Sequence, residues 1–198
     1  MNHYFKNDEL SHDISEFEDT ICGKFLKFTT NKGVFSKGHI DHLSKLFLEV
    51  IIDDIVPDRV LDFGCGYGLI GLCVNAYHQC NVDMLDINKR AIELSKLNME
   101  KNKLNTNIFE SNLFENVSNH YSAILVNPPI HAGKKICYEI YKQANNYLTD
   151  IGSLYIVISK KHGGKSTLSY LKTIYKNIEI LYSKKGVFVV KSNNFDCK

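Results

Sequence analysis

This chain lacks the features of a membrane protein, a secreted scaffold or a metal module. No apolar run in its 198 residues approaches the roughly 20 residues that span a bilayer. The start, Met1-Asn2-His3-Tyr4-Phe5-Lys6, has no apolar core of the signal-peptide kind. Both absences point to a cytoplasmic protein that does not use a membrane. Six cysteines stand at 22, 65, 73, 80, 137 and 197, yet no pair is spaced C-x-x-C and no Cys/His set has zinc-finger spacing. Several sit in apolar runs, where a free thiol packs as a small hydrophobe. No metal site is expected, and a reducing compartment fits. Net charge is only +2, too mild to announce a nucleic-acid binder by composition. Any basic surface must come from clustering. There is no repeat, no low-complexity tract and no linker.

Proline is scarce too. The chain has three, and two of them adjoin in Asn127-Pro128-Pro129-Ile130. They follow Ser122-Ala123-Ile124-Leu125-Val126, an apolar run that reads as a buried strand. Proline has no backbone N–H and cannot continue a strand ladder. The strand therefore stops at Asn127 and leaves a polar amide at its carboxyl end, the edge where open α/β sheets bind ligands. Adjacent prolines hold that backbone stiffly and leave carbonyls free to accept hydrogen bonds.

From Asp58 onward, strand and helix signals alternate. Strands are expected at 59–63, 80–85, 106–109, 123–126 and 153–158, and helices at 69–76, 89–102, 136–148 and 166–175. Segments 178–182 and 187–191, joined by Ser183-Lys184-Lys185-Gly186, read as a hairpin. The alternation implies a parallel sheet with helices on both faces and one antiparallel strand at its edge. Residues 1–57 read differently. Segment 23–30 alternates like a strand, Asn31-Lys32-Gly33 is a turn, 34–36 is placed to pair back, and 41–55 reads as a helix. One domain is expected, with 1–57 an extension packed on a core of 58–198.

Asp62-Phe63-Gly64-Cys65-Gly66-Tyr67-Gly68 follows the first of the alternating strands and opens a helix. Glycines let the backbone turn tightly and approach a ligand closely. Gly66-x-Gly68-x-x-Gly71, with Asp86 about 20 residues on, also satisfies the dinucleotide fingerprint. The glycines alone thus leave open NAD, another nucleoside cofactor, or a bare strand–helix turn. Asp86 ends the second strand, where a carboxylate can take both hydroxyls of a ribose or cap the next helix. Asp62 helps to separate the cofactors. A carboxylate just ahead of the glycines would repel a pyrophosphate and suits the sulfonium and ammonium of S-adenosylmethionine.

Asp62-x-Gly64-x-Gly66-x-Gly68, Asp86 and Asn127-Pro128-Pro129-Ile130 together resemble the motifs of class I S-adenosylmethionine-dependent methyltransferases. Asn-Pro-Pro after the fourth strand marks those that methylate planar nitrogens. His3-Tyr4-Phe5, Gly33-Val34-Phe35-Ser36-Lys37-Gly38 and the run from Asn127 to Lys134 are similar to the small RsmC-like family, and the similarity covers nearly the whole chain. The resemblance implies a Rossmann-like, mostly parallel seven-stranded α/β sheet with an antiparallel terminal strand and a small N-terminal β extension. It implies S-adenosylmethionine as donor, and as acceptor the N2 amine of a guanine in small-subunit ribosomal RNA, free or in an assembling subunit. Larger members carry a second, inactive methyltransferase-like domain, for which 198 residues leave no room.

The same resemblance assigns residues. Asn127, Pro128, Pro129 and Ile130 form the catalytic segment. The Asn127 side-chain oxygen and the Pro128 carbonyl would accept the two N–H groups of the target amine. Asp62, Gly64, Cys65, Gly66, Gly68, Asp86, Ile87, Asn112, Leu113 and Asn127 would hold the cofactor. Asn112 departs from the family, which usually has aspartate there to accept from the adenine amino group. Residue 130 is often aromatic in this motif. With Ile130 in place, Phe35 and His131 are the candidates to stack on the target base.

Lysines cluster where such a substrate would lie. Lys134-Lys135 follow the fourth strand, Lys160-Lys161 and Lys165 follow the fifth, and Lys184-Lys185 sit in the last hairpin. If the later strands run parallel to the others, all three clusters share the carboxyl edge. His131, Lys134, Lys160, Lys161 and Lys165 are expected on the RNA side, where phosphate contacts dominate affinity. Ser159-Lys160-Lys161-His162-Gly163-Gly164-Lys165-Ser166 imitates a P-loop, but serine stands where its first glycine is required. Three alternatives remain at this stage. They are methylation of another planar amine (adenine or a protein glutamine), an NAD-dependent oxidoreductase, and a non-catalytic RNA-binding module.

Overall fold

The computed structural model describes residues 14–31 and 40–196. It opens with a hairpin of β1 (Ile14–Ile21) and β2 (Lys24–Asn31), paired antiparallel with Ile21 opposite Lys24. The two connecting residues, Cys22 and Gly23, have φ of 48° and 75°. Positive φ at both positions gives the turn whose twist matches its strands. The sequence reading anticipated β2 but assigned its partner to 34–36, which lies outside the described residues. The partner found is β1, whose charged Glu16 and Glu18 on alternate positions hid a strand with one exposed face.

After α1 (His42–Ile51), which buries Phe47, Leu48 and Ile51 in the core on one side of the sheet, the alternating core begins: β3 (Arg59–Phe63), α2 (Leu69–His78), β4 (Asn81–Asp86), α3 (Lys89–Lys101), β5 (Asn107–Glu110) and β6 (Tyr121–Val126). It continues with α4 (Lys134–Ala144), β7 (Leu148–Ser159), α5 (Gly164–Leu171), β8 (Asn177–Tyr182) and β9 (Val187–Asn193). The seven core strands lie in the order β5-β4-β3-β6-β7-β9-β8. Strands β3 to β7 are parallel, and β9 runs antiparallel to both β7 and β8. The antiparallel strand is the last in the chain, as expected, but it fills the gap between β7 and β8 and leaves β8 at the edge. A chain that returns through α5 must lay β8 down one place out for the hairpin to fold back inward.

Side chains alternate across the sheet with period two. Val60, Val82, Met84, Ala123, Leu125, Tyr155 and Val157 face α1, α2, α3 and the hairpin. Leu61, Phe63, Leu85, Ile124, Val126, Leu154 and Ile156 face α4 and α5. The sheet is thus covered on both sides, which explains why β6 is buried at every position. Among the described residues, no helix is long and apolar enough to cross a membrane.

The chain leaves β3 outward to β4 and β5, then crosses back to place β6 on the other side of β3. Such a reversal opens a crevice at the carboxyl ends of the two strands. Phe63 pairs with Leu85 on one side and with Val126 on the other, so the strand ends are level. The loops that carry Gly64, Asp86 and Asn127 therefore emerge side by side.

Candidate active site

On the β3 side, the loop turns through three left-handed glycines, Gly64, Gly66 and Gly68, with φ of 75°, 57° and 97°. A Cβ at Gly64 would meet nothing within 4 Å, so its backbone faces open space that a ligand can enter. Gly71 answers to packing instead. A Cβ there would stand 2.7 Å from Met84 and 3.0 Å from Asp62, so α2 lies against the sheet only because this residue is glycine.

The loop is held from outside as well as by its own turns. Gly64 and Cys65 donate to the Leu85 carbonyl at 2.8 and 2.9 Å. Ser95 Oγ donates to the Gly66 carbonyl at 2.8 Å. The buried Asn98 amide donates to the carbonyls of Tyr67 and Thr29 at 2.8 and 2.9 Å and accepts from the Thr29 N–H at 2.7 Å. One side chain of α3 thereby ties the hairpin to the glycine loop. The Tyr67 ring adds edge contacts with Phe17 and Phe28, at 6.0 and 5.6 Å between centroids. Sequence reading missed Ser95 and Asn98. Their signal was two small polar residues on the apolar stripe of a helix.

Asp62 lies fully inside this frame. Its Oδ2 accepts the Gly71 N–H at 2.8 Å, while Oδ1 is buried without a partner among the described residues. Burial, with a smaller push from the Asp86 charge, lifts its carboxyl from 3.8 to about 7 against the pull of the Gly71 N–H. No described cation compensates it. An unsatisfied buried oxygen of this kind fits a positively charged ligand. Asp86, at the end of β4, uses Oδ2 to accept from Gly66 N at 3.0 Å and Oδ1 to accept from Asn88 N at 2.9 Å. Each oxygen keeps a second lone-pair site, and the carboxylate is oriented beside the loop. The neighbouring Ile87 is 64% exposed, an open apolar contact at the cleft rim.

Cys65 stands in the loop but turns its side chain away from the cleft. Its side chain is buried in the core, with Sγ 3.5 Å from Ser95 Oγ, and burial pushes the thiol well above its usual range. Only its backbone faces the loop. After β5, the turn is fixed by Ser111, whose Oγ donates to the Leu113 carbonyl at 2.9 Å and accepts from Asn116 N at 3.1 Å. That turn places the partly buried Leu113 at φ 50° and leaves Asn112 exposed, its amide nitrogen donating to Glu115 at 2.9 Å. The Asn112 oxygen points elsewhere and remains an acceptor.

On the β6 side, Asn127 is half-buried, Pro128 buried and Pro129 exposed. The Pro129 carbonyl is used locally, accepting from Ala132 N at 2.9 Å to start a 3-10 turn over Ile130–Ala132. Nothing among the described residues donates to the Pro128 carbonyl or to Asn127 Oδ1. The Asn127 amide nitrogen is bound instead to the start of α1, at 2.9 Å from Ser44 Oγ and 3.3 Å from Asp41 Oδ2. Asp41 and Ser44 also escaped the sequence reading, which took Asp41 as the start of a helix and nothing more. Phe35 lies outside the described residues, as does the side chain of His131. Ile130 is partly buried beside the prolines.

The profile of the family described as Methyltransferase small domain matches residues 25–191. The chain belongs to that family. It is 34% identical over 195 residues to "Uncharacterized protein YbxB" of Bacillus subtilis, covering 96% of this chain and 97% of that one. It is 39% identical over 152 residues to "Ribosomal RNA small subunit methyltransferase C" of Psychromonas ingrahamii, covering 74% of this chain and 43% of the relative. A solved structure, "T. Thermophilus 16S rRNA N2 G1207 methyltransferase (RsmC) in complex with AdoMet and Guanosine", superposes with a TM-score of 0.82 at 22% identity, over 93% of this chain and 52% of that one. The chain thus spans nearly all of YbxB and about half or less of these longer relatives.

Membership in the methyltransferase small-domain family sets aside the dinucleotide reading. Asp62 argues the same way, since a buried carboxylate behind the loop would oppose a pyrophosphate. The remaining small-domain feature is charge. Ser159 pairs with Val187, so the turn between β8 and β9 lies at the carboxyl end of β7. Lys160 N donates to the Gly186 carbonyl at 2.8 Å, joining the two loops. All three lysine clusters therefore share the edge that carries Asn127. Lys161, Lys165, Lys184 and Lys185 are exposed. Lys160 is partly committed, its Nζ 4.6 Å over the Phe188 ring and 3.4 Å from the Ser183 carbonyl. Lys134 reaches its own helix, 5.8 Å over Tyr138.

Proposed function

We propose that this methyltransferase small domain transfers a methyl group from S-adenosylmethionine to the N2 amine of a guanine in small-subunit ribosomal RNA. One observation carries the reading. Among the described residues, Asn127 Oδ1 and the Pro128 carbonyl are two unshared acceptors on a stiff strand end, next to the glycine loop. The relatives and the solved neighbour named for ribosomal RNA methylation support the choice of substrate. A cytoplasmic location follows from it.

The residues present fit S-adenosylmethionine. The open Gly64 backbone would admit it, the Asp86 carboxylate would take its ribose hydroxyls, and the Asn112 oxygen would accept from its adenine amine. The charge deficit at Asp62 suits its cationic end. When bound, it supplies an electrophilic methyl group attached to a sulfonium.

This chain's contribution on the other side is orientation. An exocyclic guanine amine is a poor nucleophile, because its lone pair is delocalised into the ring. Two acceptors aimed at its N–H groups favour a more pyramidal nitrogen and point the lone pair at the methyl. Positioning of that kind removes much of a displacement barrier. No general base is needed near the nitrogen, since the proton can leave to water after the bond has formed. The exposed lysines would track the RNA backbone.

The test is transfer of labelled methyl from S-adenosylmethionine to ribosomal RNA, offered free and as partly assembled small subunit. Digestion to nucleosides and mass spectrometry should find N2-methylguanosine. Label in methyladenosine, or in protein alone, would replace the guanine assignment with another planar amine. No incorporation into any of these would favour a binding module.

A further inference from the structure

We propose that Asp41 and Ser44, at the start of α1, are positioning residues that fix which way round the Asn127 amide stands. The inference rests on the methyl-transfer reading of Asn127. A primary amide has nearly the same shape either way round, so the polarity of its partners decides its orientation. Here the partners leave one answer. Asp41 is the N-cap of α1, and its Oδ2 accepts both the Ser44 N–H at 2.8 Å and the Ser44 hydroxyl at 2.7 Å. The single hydroxyl hydrogen of Ser44 is thereby committed to the carboxylate. Toward Asn127, Ser44 Oγ presents only lone pairs, and Asp41 Oδ2 does the same.

Both groups that meet this end of the amide are acceptors, at 2.9 and 3.3 Å, so the NH2 end must face them. Turned over, Oδ1 would stand against a carboxylate and hydroxyl lone pairs. The lock therefore directs Oδ1 away from α1 as an acceptor, the polarity that an incoming amine requires. The chain of bonds also polarises the amide, since a hydrogen-bonded carboxylate–hydroxyl–amide series strengthens the last acceptor. Ser44 is only 5% exposed, so water does not readily take its place. The lock joins residues 83 and 86 positions apart, which explains why no local pattern marks it.

Ser44→Ala tests the lock at a helical position where alanine is favoured. The expected result is a kcat about tenfold lower, the effect of one positioning hydrogen bond, with thermal midpoint and S-adenosylmethionine Kd near wild type. Ser44→Thr keeps a hydroxyl and should recover most of kcat. Asp41→Ala removes the carboxylate acceptor and frees the Ser44 hydrogen to face Asn127; it should lower kcat, with a modest fall in thermal midpoint from the lost cap. In an Asn127→Ala background, Ser44→Ala should have no further effect. If Asn127→Ala itself keeps wild-type kcat, the methyl-transfer reading of Asn127 fails. If Asn127→Ala loses kcat while Ser44→Ala and Asp41→Ala keep it, or if the losses multiply, the positioning role fails and that reading stands.

Discussion

The two halves of the cleft are built in different ways. The cofactor half, on β3 to β5, is built on the short glycine loop from Gly64 to Gly68, with Asp62 and Asp86 on the neighbouring strand ends. The acceptor half, on β6, takes its geometry from residues more than 80 positions away at the start of α1. The first half is shaped by backbone conformation, the second by side-chain polarity. Damage to one should therefore show in binding, and damage to the other in turnover.

The largest expected effect is on the acceptor half. Asn127→Ala removes a preorganised acceptor from the reacting amine and should lower kcat about 100- to 1000-fold in a steady-state methyl-transfer assay. On the cofactor half, Asn98→Ala strands the Thr29 N–H and the Thr29 and Tyr67 carbonyls that it now satisfies. It should cost about 3 kcal/mol of folding stability in denaturant unfolding, and weaken S-adenosylmethionine binding with it.

A smaller effect separates the halves by pH. Asp62 has its folded carboxyl raised from 3.8 to about 7, so the folded protein holds this proton more tightly than the unfolded chain. The contribution of that proton to stability is present at low pH and fades as pH rises from about 4 to about 7. A cationic ligand favours the ionised form. Its affinity should rise with pH by nearly tenfold per unit below 7 and level off above. Calorimetry in buffers of different ionisation enthalpy should detect proton release near pH 7, and Asp62→Asn should abolish it.

The smallest effect concerns RNA. Replacing Lys160, Lys161 and Lys165 by glutamine should reduce the slope of log affinity against log salt by about 1.5 to 2, while S-adenosylmethionine affinity stays unchanged. The reduction falls below three full contacts because Lys160 is partly engaged by Phe188 and Ser183. An unchanged slope would remove the lysine edge from the RNA surface.

This difference in construction also explains what was legible in the sequence. Strand ends carrying Asp62, Asp86 and Asn127 could be read because buried parallel strands are apolar runs and their carboxyl ends are punctuated by glycine or proline. The order of the last two strands could not, since either placement of the hairpin satisfies the same pattern. Strand β1 went unseen because its charges occupy one face of a hairpin whose other face meets Tyr67, a contact with no local sign. The direction of the Cys65 side chain was equally hidden. The residue sits among loop glycines, yet its side chain turns inward to Ser95, 30 residues away. Asp41 and Ser44 carried a legible helix cap, but nothing in it pointed to Asn127.

The separation of the two halves is tested most directly by titrating S-adenosylmethionine into the Asn127→Ala protein. An affinity within about twofold of wild type, alongside turnover reduced as above, is the predicted result, since a twofold change is well under 1 kcal/mol. Loss of binding in step with loss of turnover would contradict it and make Asn127 a cofactor residue first.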